Sequence, residues 1–169
     1  RAAKMVCLDM DHPEILDFIE WKKNEEKKAR ALVAAGYEGS LDGEVYRTIS
    51  GQNSNNSVRV TDQFMNQVLK DGDWNLKYPS TGKIHKTVKA KELWNSLCES
   101  AWECADPGVQ FHDTINKFHM SKASGEIRAS NPCSEFMYLD NTACNLASLN
   151  LIKFYQDGVF NTGKFSTDV

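Results

Sequence analysis

The chain lacks any run approaching the ~20 apolar residues that a bilayer crossing needs. No signal peptide is visible at its start, so neither a spanning nor a secreted protein is expected. Positive charge is not in excess either: 20 Lys and Arg face 23 Asp and Glu, a net charge of −3, which leaves no basic face for nucleic acid. Neither usual glycine-rich phosphate cradle occurs. Five cysteines is an odd number without framework spacing and without a Cys-x-x-Cys pair, which argues for reduced thiols and a cytoplasmic setting. Initiator Met, internal repeats and terminal signals are all missing between Arg1 and Val169.

At 169 residues the chain is long enough to bury a core as one domain. Its pattern alternates strand and helix, an α/β class. Lys4 to Leu8 reads as a buried strand. Pro13 opens a helix whose stripe Ile15, Leu16, Phe18, Ile19 and Leu32 runs to about Ala35 and stops at Gly36. Its charged middle, Lys22 to Arg30, reads as a solvated face. Gly36 to Gly51 reads as loop, Asn56 to Thr61 as strand, and Asp62 as the cap of a helix to Leu69. Trp74 to Tyr78 and Lys83 to Val88 fit a hairpin across Pro79-Ser80-Thr81-Gly82. Ala90 to Ala105 is an amphipathic helix through Leu93, Trp94, Leu97, Ala101 and Trp102, and Val109 to His112 is short and extended. Asn145 to Phe154 is apolar and is expected to close the core.

The chemistry concentrates in Asn131-Pro132-Cys133-Ser134-Glu135. On extended chain, alternate residues point the same way, so Asn131, Cys133 and Glu135 would share one small ligand: an amide, a hydrogen-atom or electron carrier, and a general base. Pro132 suits a stiff, exposed tip. Cys144 follows at the mouth of the apolar run. The other thiols read as packing residues, Cys7 in the first strand and Cys98 and Cys104 on a helix. The last two have poor zinc spacing, and His112 and His119 lack a carboxylate at ligand spacing, so no metal is expected. The cluster Asn53, Asn55 and Asn56 reads as turn chemistry before a strand. Arg59 within that strand is in reach of a ligand, but nothing in the pattern assigns it one.

Ser130-Asn131-Pro132-Cys133-Ser134-Glu135, with Ala143-Cys144-Asn145-Leu146-Ala147-Ser148-Leu149-Asn150-Leu151 beyond it, closely resembles the finger loop of ribonucleotide reductases. The eleven-residue step from Cys133 to Cys144 is similar to the class II, adenosylcobalamin-dependent branch. The aerobic diiron branch spaces its redox cysteine further away, and the glycyl-radical branch lacks this glutamate. Arg1 to Asp9 with Asp11 to Ile19, Gln52 to Met65, and Ala101 to Gly108 resemble other parts of the same family in the same order. Residues 71–91 are the least similar.

The resemblance implies part of a ten-stranded α/β barrel, about one half of it, with residues 1–169 forming a single fragment and the finger near 129–140. It implies reduction of ribonucleotides, with ribonucleoside diphosphates favoured, by a thiyl radical on Cys133. Glu135 would act as general base and Asn131 would hold the ribose. Cys144 would be a redox cysteine paired with one that precedes Arg1. Adenosylcobalamin is the implied cofactor, and a thioredoxin-like reductant, a deoxynucleotide or ATP effector bound outside this chain, and a homodimeric parent are implied partners. The fragment alone is expected to be inactive, with an open sheet edge. Two readings from the residues stay open beside this: a thiol-disulfide module pairing Cys133 with Cys144, and a non-catalytic structural or zinc-binding piece.

Overall fold

A computed structural model describes residues 4–169. Arg1, Ala2 and Ala3, which belong to the first family-like stretch, lie outside the described residues. Strand β1 (Lys4–Asp9) leads into helix α1 (Ile15–Ala34), a short α2 (Glu44–Thr48) and strand β2 (Ser54–Val60). Helix α3 (Asp62–Lys70), a hairpin of β3 (Asp73–Lys77) and β4 (Ile84–Lys89), α4 (Ala90–Cys104), β5 (Gly108–Phe111) and α5 (His112–Phe118) follow. The remainder holds two small hairpins, β6 (Ala129–Ser130) with β7 (Met137–Tyr138) and β8 (Tyr155–Gln156) with β9 (Val159–Phe160), and a final helix α6 (Thr162–Asp168).

The α/β reading is correct. β1, β2 and β5 form a parallel sheet in the order β1-β2-β5, three strands rather than the five of a half barrel. Strand alternation gives this sheet two unlike faces. Leu8, Met10, Val58, Val60 and Val109 turn to one side, where they meet Ile15 and Ile19 of α1, Phe64 of α3 and Leu93 and Leu97 of α4. Phe64 is fully buried at the centre, edge-on to Trp74 at 5.1 Å and tilted to Trp94 at 6.5 Å. The register pairs Cys7 with Ser57, Ser57 with Gly108 and Arg59 with Gln110 on the opposite side. That second face is polar, and the finger lies across it.

Several local expectations are corrected. Residues 36–51 contain α2, whose Val45 joins Ala29 and Ile49 in a second small cluster under the C-terminal half of α1. The cap of α3 is Thr61, whose Oγ1 accepts from the Phe64 amide at 3.2 Å; Asp62 is the first helical residue. The charged middle of α1 is not all solvated. Lys23 and Glu25 are buried, Glu25 accepts from the Ser50 amide and from Lys28, and Lys22 pairs with Asp106 at 2.9 Å. The apolar stripes also run wider than burial does: Leu16 on α1 and Trp102 on α4 are exposed, and so is Cys98. The extended segment expected to reach His112 ends at Phe111, and His112 begins α5, a helix that the sequence pattern does not indicate. Residues 143–150 form no strand, and Leu146, Leu149, Leu151 and Ile152 are exposed rather than core, because no partner strand or helix among the described residues covers them.

Candidate functional site at the finger loop

The finger is a tight turn, not extended chain. The Ser134 amide donates to the Asn131 carbonyl at 3.0 Å, the Asn131 amide to the Phe136 carbonyl at 3.2 Å, and the Phe136 amide to Asn131 Oδ1 at 3.0 Å. Ser134 adopts φ +60°, in the left-handed region. The same-face argument from alternation therefore fails here, because a left-handed residue between Cys133 and Glu135 breaks the period of two. What survives is proximity. Asn131, Cys133 and Glu135 sit within one turn between β6 and β7, Cys133 and Glu135 both exposed and Asn131 half-buried. Asn131 Oδ1 is committed to the turn, while its Nδ2 has no partner among the described residues and remains a donor.

The stem crosses the polar face of the sheet and is fixed at both ends. At the carboxyl end of β2, Arg59 is almost wholly buried. It donates to the Ile127 carbonyl at 2.8 Å, bonds His112 Nδ1, and lies 3.6 Å from Asp9 Oδ1. Burial pulls the Arg59 guanidinium below its ordinary value, and the Asp9 charge opposes that. Asn116 of α5 brackets Ile127, accepting from its amide at 2.9 Å and donating to its carbonyl at 3.0 Å. At the amino end, Asn55 Nδ2 donates to the Pro132 carbonyl at 3.0 Å. Between them, buried Gln110 of β5 donates from Nε2 to Ser130 Oγ at 2.8 Å and to Ser134 Oγ at 3.4 Å. Beside this contact the Cys7 thiol is raised above its ordinary value by burial. The Arg59 charge, the Ser130 backbone and the Gln110 side chain pull the other way without overcoming it.

Sequence reasoning misses Gln110; Asn55 and Asn56, expected in turn chemistry ahead of a strand, lie inside β2, and Arg59, correctly placed in that strand, has no ligand assigned by the pattern. A signal was present: parallel strands buried on both faces normally read as continuous apolar runs, yet Asn55, Ser57 and Arg59 are polar at every second position of β2. His112 also has a carboxylate that spacing conceals, since its Nε2 meets Glu126 Oε1 at 2.8 Å. Among the described residues no three His, Cys, Asp or Glu side chains converge as a metal-ligand set. All five cysteines are free, and Cys144 is exposed on irregular chain rather than at the head of a strand. Among the described residues no helix is long and apolar enough to cross a membrane.

A family model described as the ribonucleotide reductase barrel domain matches residues 1–169. The chain belongs to the ribonucleotide reductase barrel-domain family. A vitamin B12-dependent ribonucleotide reductase of Streptomyces avermitilis is 55% identical over 157 residues, covering 93% of this chain and 16% of the relative. One from Rhodopirellula baltica is 51% identical over 170 residues, covering 98% of this chain and 16% of the relative. A vitamin B12-dependent ribonucleoside-diphosphate reductase of Thermoplasma acidophilum is 37% identical over 158 residues, covering 94% and 18%. The chain thus spans about a sixth of the length of the curated relatives it matches. The parallel sheet β1-β2-β5, with the finger on its polar face, lies within the residues that this barrel-domain model matches.

Proposed function

We propose that this chain supplies the finger and part of the barrel wall of a vitamin B12-dependent ribonucleotide reductase that converts ribonucleoside diphosphates to 2′-deoxyribonucleotides. The observation that carries this is the turn itself: Asn131, Cys133 and Glu135 held on one short loop across the polar wall face, in a chain whose relatives are named for that reaction. Adenosylcobalamin, when bound, supplies an organic radical by homolysis of its cobalt–carbon bond. An exposed thiol at a loop tip fits such a source, and Cys133 is the residue of this chain on which it would act.

Removing a ribose 2′-hydroxyl is hard because hydroxide is a poor leaving group from an unactivated carbon. A Cys133 thiyl radical takes the 3′-hydrogen and leaves a carbon radical next to the C2′–O bond. Glu135 accepts the 3′-hydroxyl proton as general base, and the free Asn131 Nδ2 donor holds a substrate oxygen. The 2′-oxygen leaves as water by taking a proton from one of the two reducing thiols. Cys144 and that second thiol together give two electrons, this proton and the hydrogen for C2′ and become a disulfide, Glu135 returns its proton to the 3′-oxygen, and Cys133 then returns the 3′-hydrogen. The exposure of Cys144 suits a thiol that must be re-reduced, by a thioredoxin-like donor in the cytoplasm. A homodimeric enzyme and a deoxynucleotide or ATP effector acting outside this chain complete the reading.

The test uses the complete reductase polypeptide. Cys133→Ser should abolish nucleotide reduction while the circular dichroism stays unchanged, because an O–H bond is too strong to yield the radical. Turnover by that variant would overturn the assignment. Glu135→Gln should lower kcat by about 10²–10⁴-fold through loss of the base.

A further inference from the structure

We infer that Gln110 is a positioning residue that holds the Cys133 tip from the polar face of β5, with Asn55 completing the hold from β2. The inference rests on the reading of Cys133 given above. The two side chains reach the finger on opposite sides of Cys133. Asn55 binds the carbonyl of the peptide that enters Cys133, and Gln110 binds the hydroxyl of the residue that leaves it. Ser130 ties the two ends together, its hydroxyl lying 2.8 Å from the Asn131 carbonyl oxygen and 3.1 Å from Ser134 Oγ.

Three observations separate this from ordinary wall packing. Gln110 is 1% exposed in a four-residue strand, where a buried amide is unfavourable against an apolar side chain unless its hydrogen bonds return that loss. Its Oε1 has no hydrogen-bond partner among the described residues, so the donor end alone is satisfied; that end faces the Cys7 thiol of β1 and donates to two finger hydroxyls, Ser130 Oγ and Ser134 Oγ. Ser134 also sits at φ +60°, a conformation that a residue with a side chain holds only when its surroundings impose it. One turn bond, from the Ser134 amide to the Asn131 carbonyl, and the Gln110 contact meet at that residue, and two bonds between Asn131 and Phe136 close the turn around it. Hydrogen-atom transfer from a ribose tolerates little displacement of the abstracting sulfur, and misplacing a reacting group by about 1 Å can cost about 10²-fold.

The experiment is Gln110→Met in the complete reductase, a side chain of matching length without a donor. Amide hydrogen exchange should quicken about tenfold at Ser134 and Phe136, as expected for losing one net hydrogen bond, with the amides of β1 and β2 unchanged. In steady-state assays kcat should fall about 10²-fold while KM shifts less than about threefold. Unchanged exchange in the finger, an acceleration spread through β1 and β2, or a retained kcat would each overturn the inference. Ser134→Ala removes the far end of the same contact from the loop side. It should move exchange and kcat in the same direction by less, and it decides the matter if Gln110→Met fails to fold: no change in either readout overturns the hold. Exchange reads the clamp without turnover, so it stands or falls separately from the Cys133→Ser result.

Discussion

Burial sorts the thiols at the scale of single residues. Cys98, Cys133 and Cys144 are exposed, whereas Cys7 and Cys104 are partly buried. Burial raises both of the latter above the ordinary thiol value. Cys104 also lies 3.3 Å from the Ser100 and Asp106 carbonyls, to which its S–H donates. Since the thiolate is the nucleophile, a short iodoacetamide pulse near neutral pH should label Cys98, Cys133 and Cys144 first and leave Cys7 and Cys104 behind, as read by peptide mass. A folded-state value above the unfolded one means that Cys7 and Cys104 favour the folded state fully below the ordinary thiol value. That contribution falls as pH rises through the raised one. Alkaline unfolding should therefore move to higher pH in Cys7→Ala, provided the lost packing is corrected at neutral pH; an unmoved alkaline limb would contradict it. Glu25 carries the opposite sign. The Lys28 hydrogen bond, then the Ser50 amide, hold its carboxyl below the ordinary range, so its contribution is present above that range and lost as pH falls through it.

Legibility at the scale of elements follows from where the decisive contacts lie. β1, α1, the β3–β4 hairpin and α4 were readable within a residue or two because each is set by its own periodicity and by its local turn, Pro79 to Gly82 or Gly36. Thr61 displaced Asp62 as the cap because both side chains are capping types and only the backbone angle separates them. The finger residues were legible by type and spacing, yet their turn was not, since it depends on Ser134 entering the left-handed region under contacts from β2 and β5, strands more than twenty residues away in sequence. Long-range pairing of this kind also fixes α1. Asp106, just before β5, accepts from Lys22 on α1 and from the Asn56 amide on β2 at 3.2 Å. Both side chains of the ion pair are largely shielded, so Asp106→Ala strands a lysine and an amide, and should cost about 2 kcal/mol of stability. Denaturant titration of the complete protein checks this, and a loss below about 0.5 kcal/mol would place the pair among ordinary surface ion pairs.

Taken as a whole molecule, the chain is too open for a self-contained domain. Its accessible surface is 11453 Å², against roughly 8,400 Å² for a compact monomer of 19.1 kDa by the usual surface scaling. The excess is not spread evenly. Beyond residue 111, only Ile127 and Phe154 are buried apolar residues among the described ones, while Leu146, Leu149, Leu151 and Ile152 stand in water. The sheet adds two open edges, since among the described residues β1 and β5 each pair on one side only. Open edges and contiguous apolar surface both promote association. The contacts within the core nonetheless hold the elements of residues 4–111 together, with Phe64 and its two tryptophans at the centre. The 169-residue chain by itself should therefore self-associate as concentration rises, bind a dye that reports apolar surface, and show no nucleotide reduction. Leu149→Lys with Ile152→Lys should lower both association and dye binding without shifting the thermal midpoint by more than a few degrees, because neither side chain contributes to the core. Sedimentation velocity across a concentration series is the measurement. A monomer at every concentration would mean that residues 143–154 fold back onto the wall and bury that run after all.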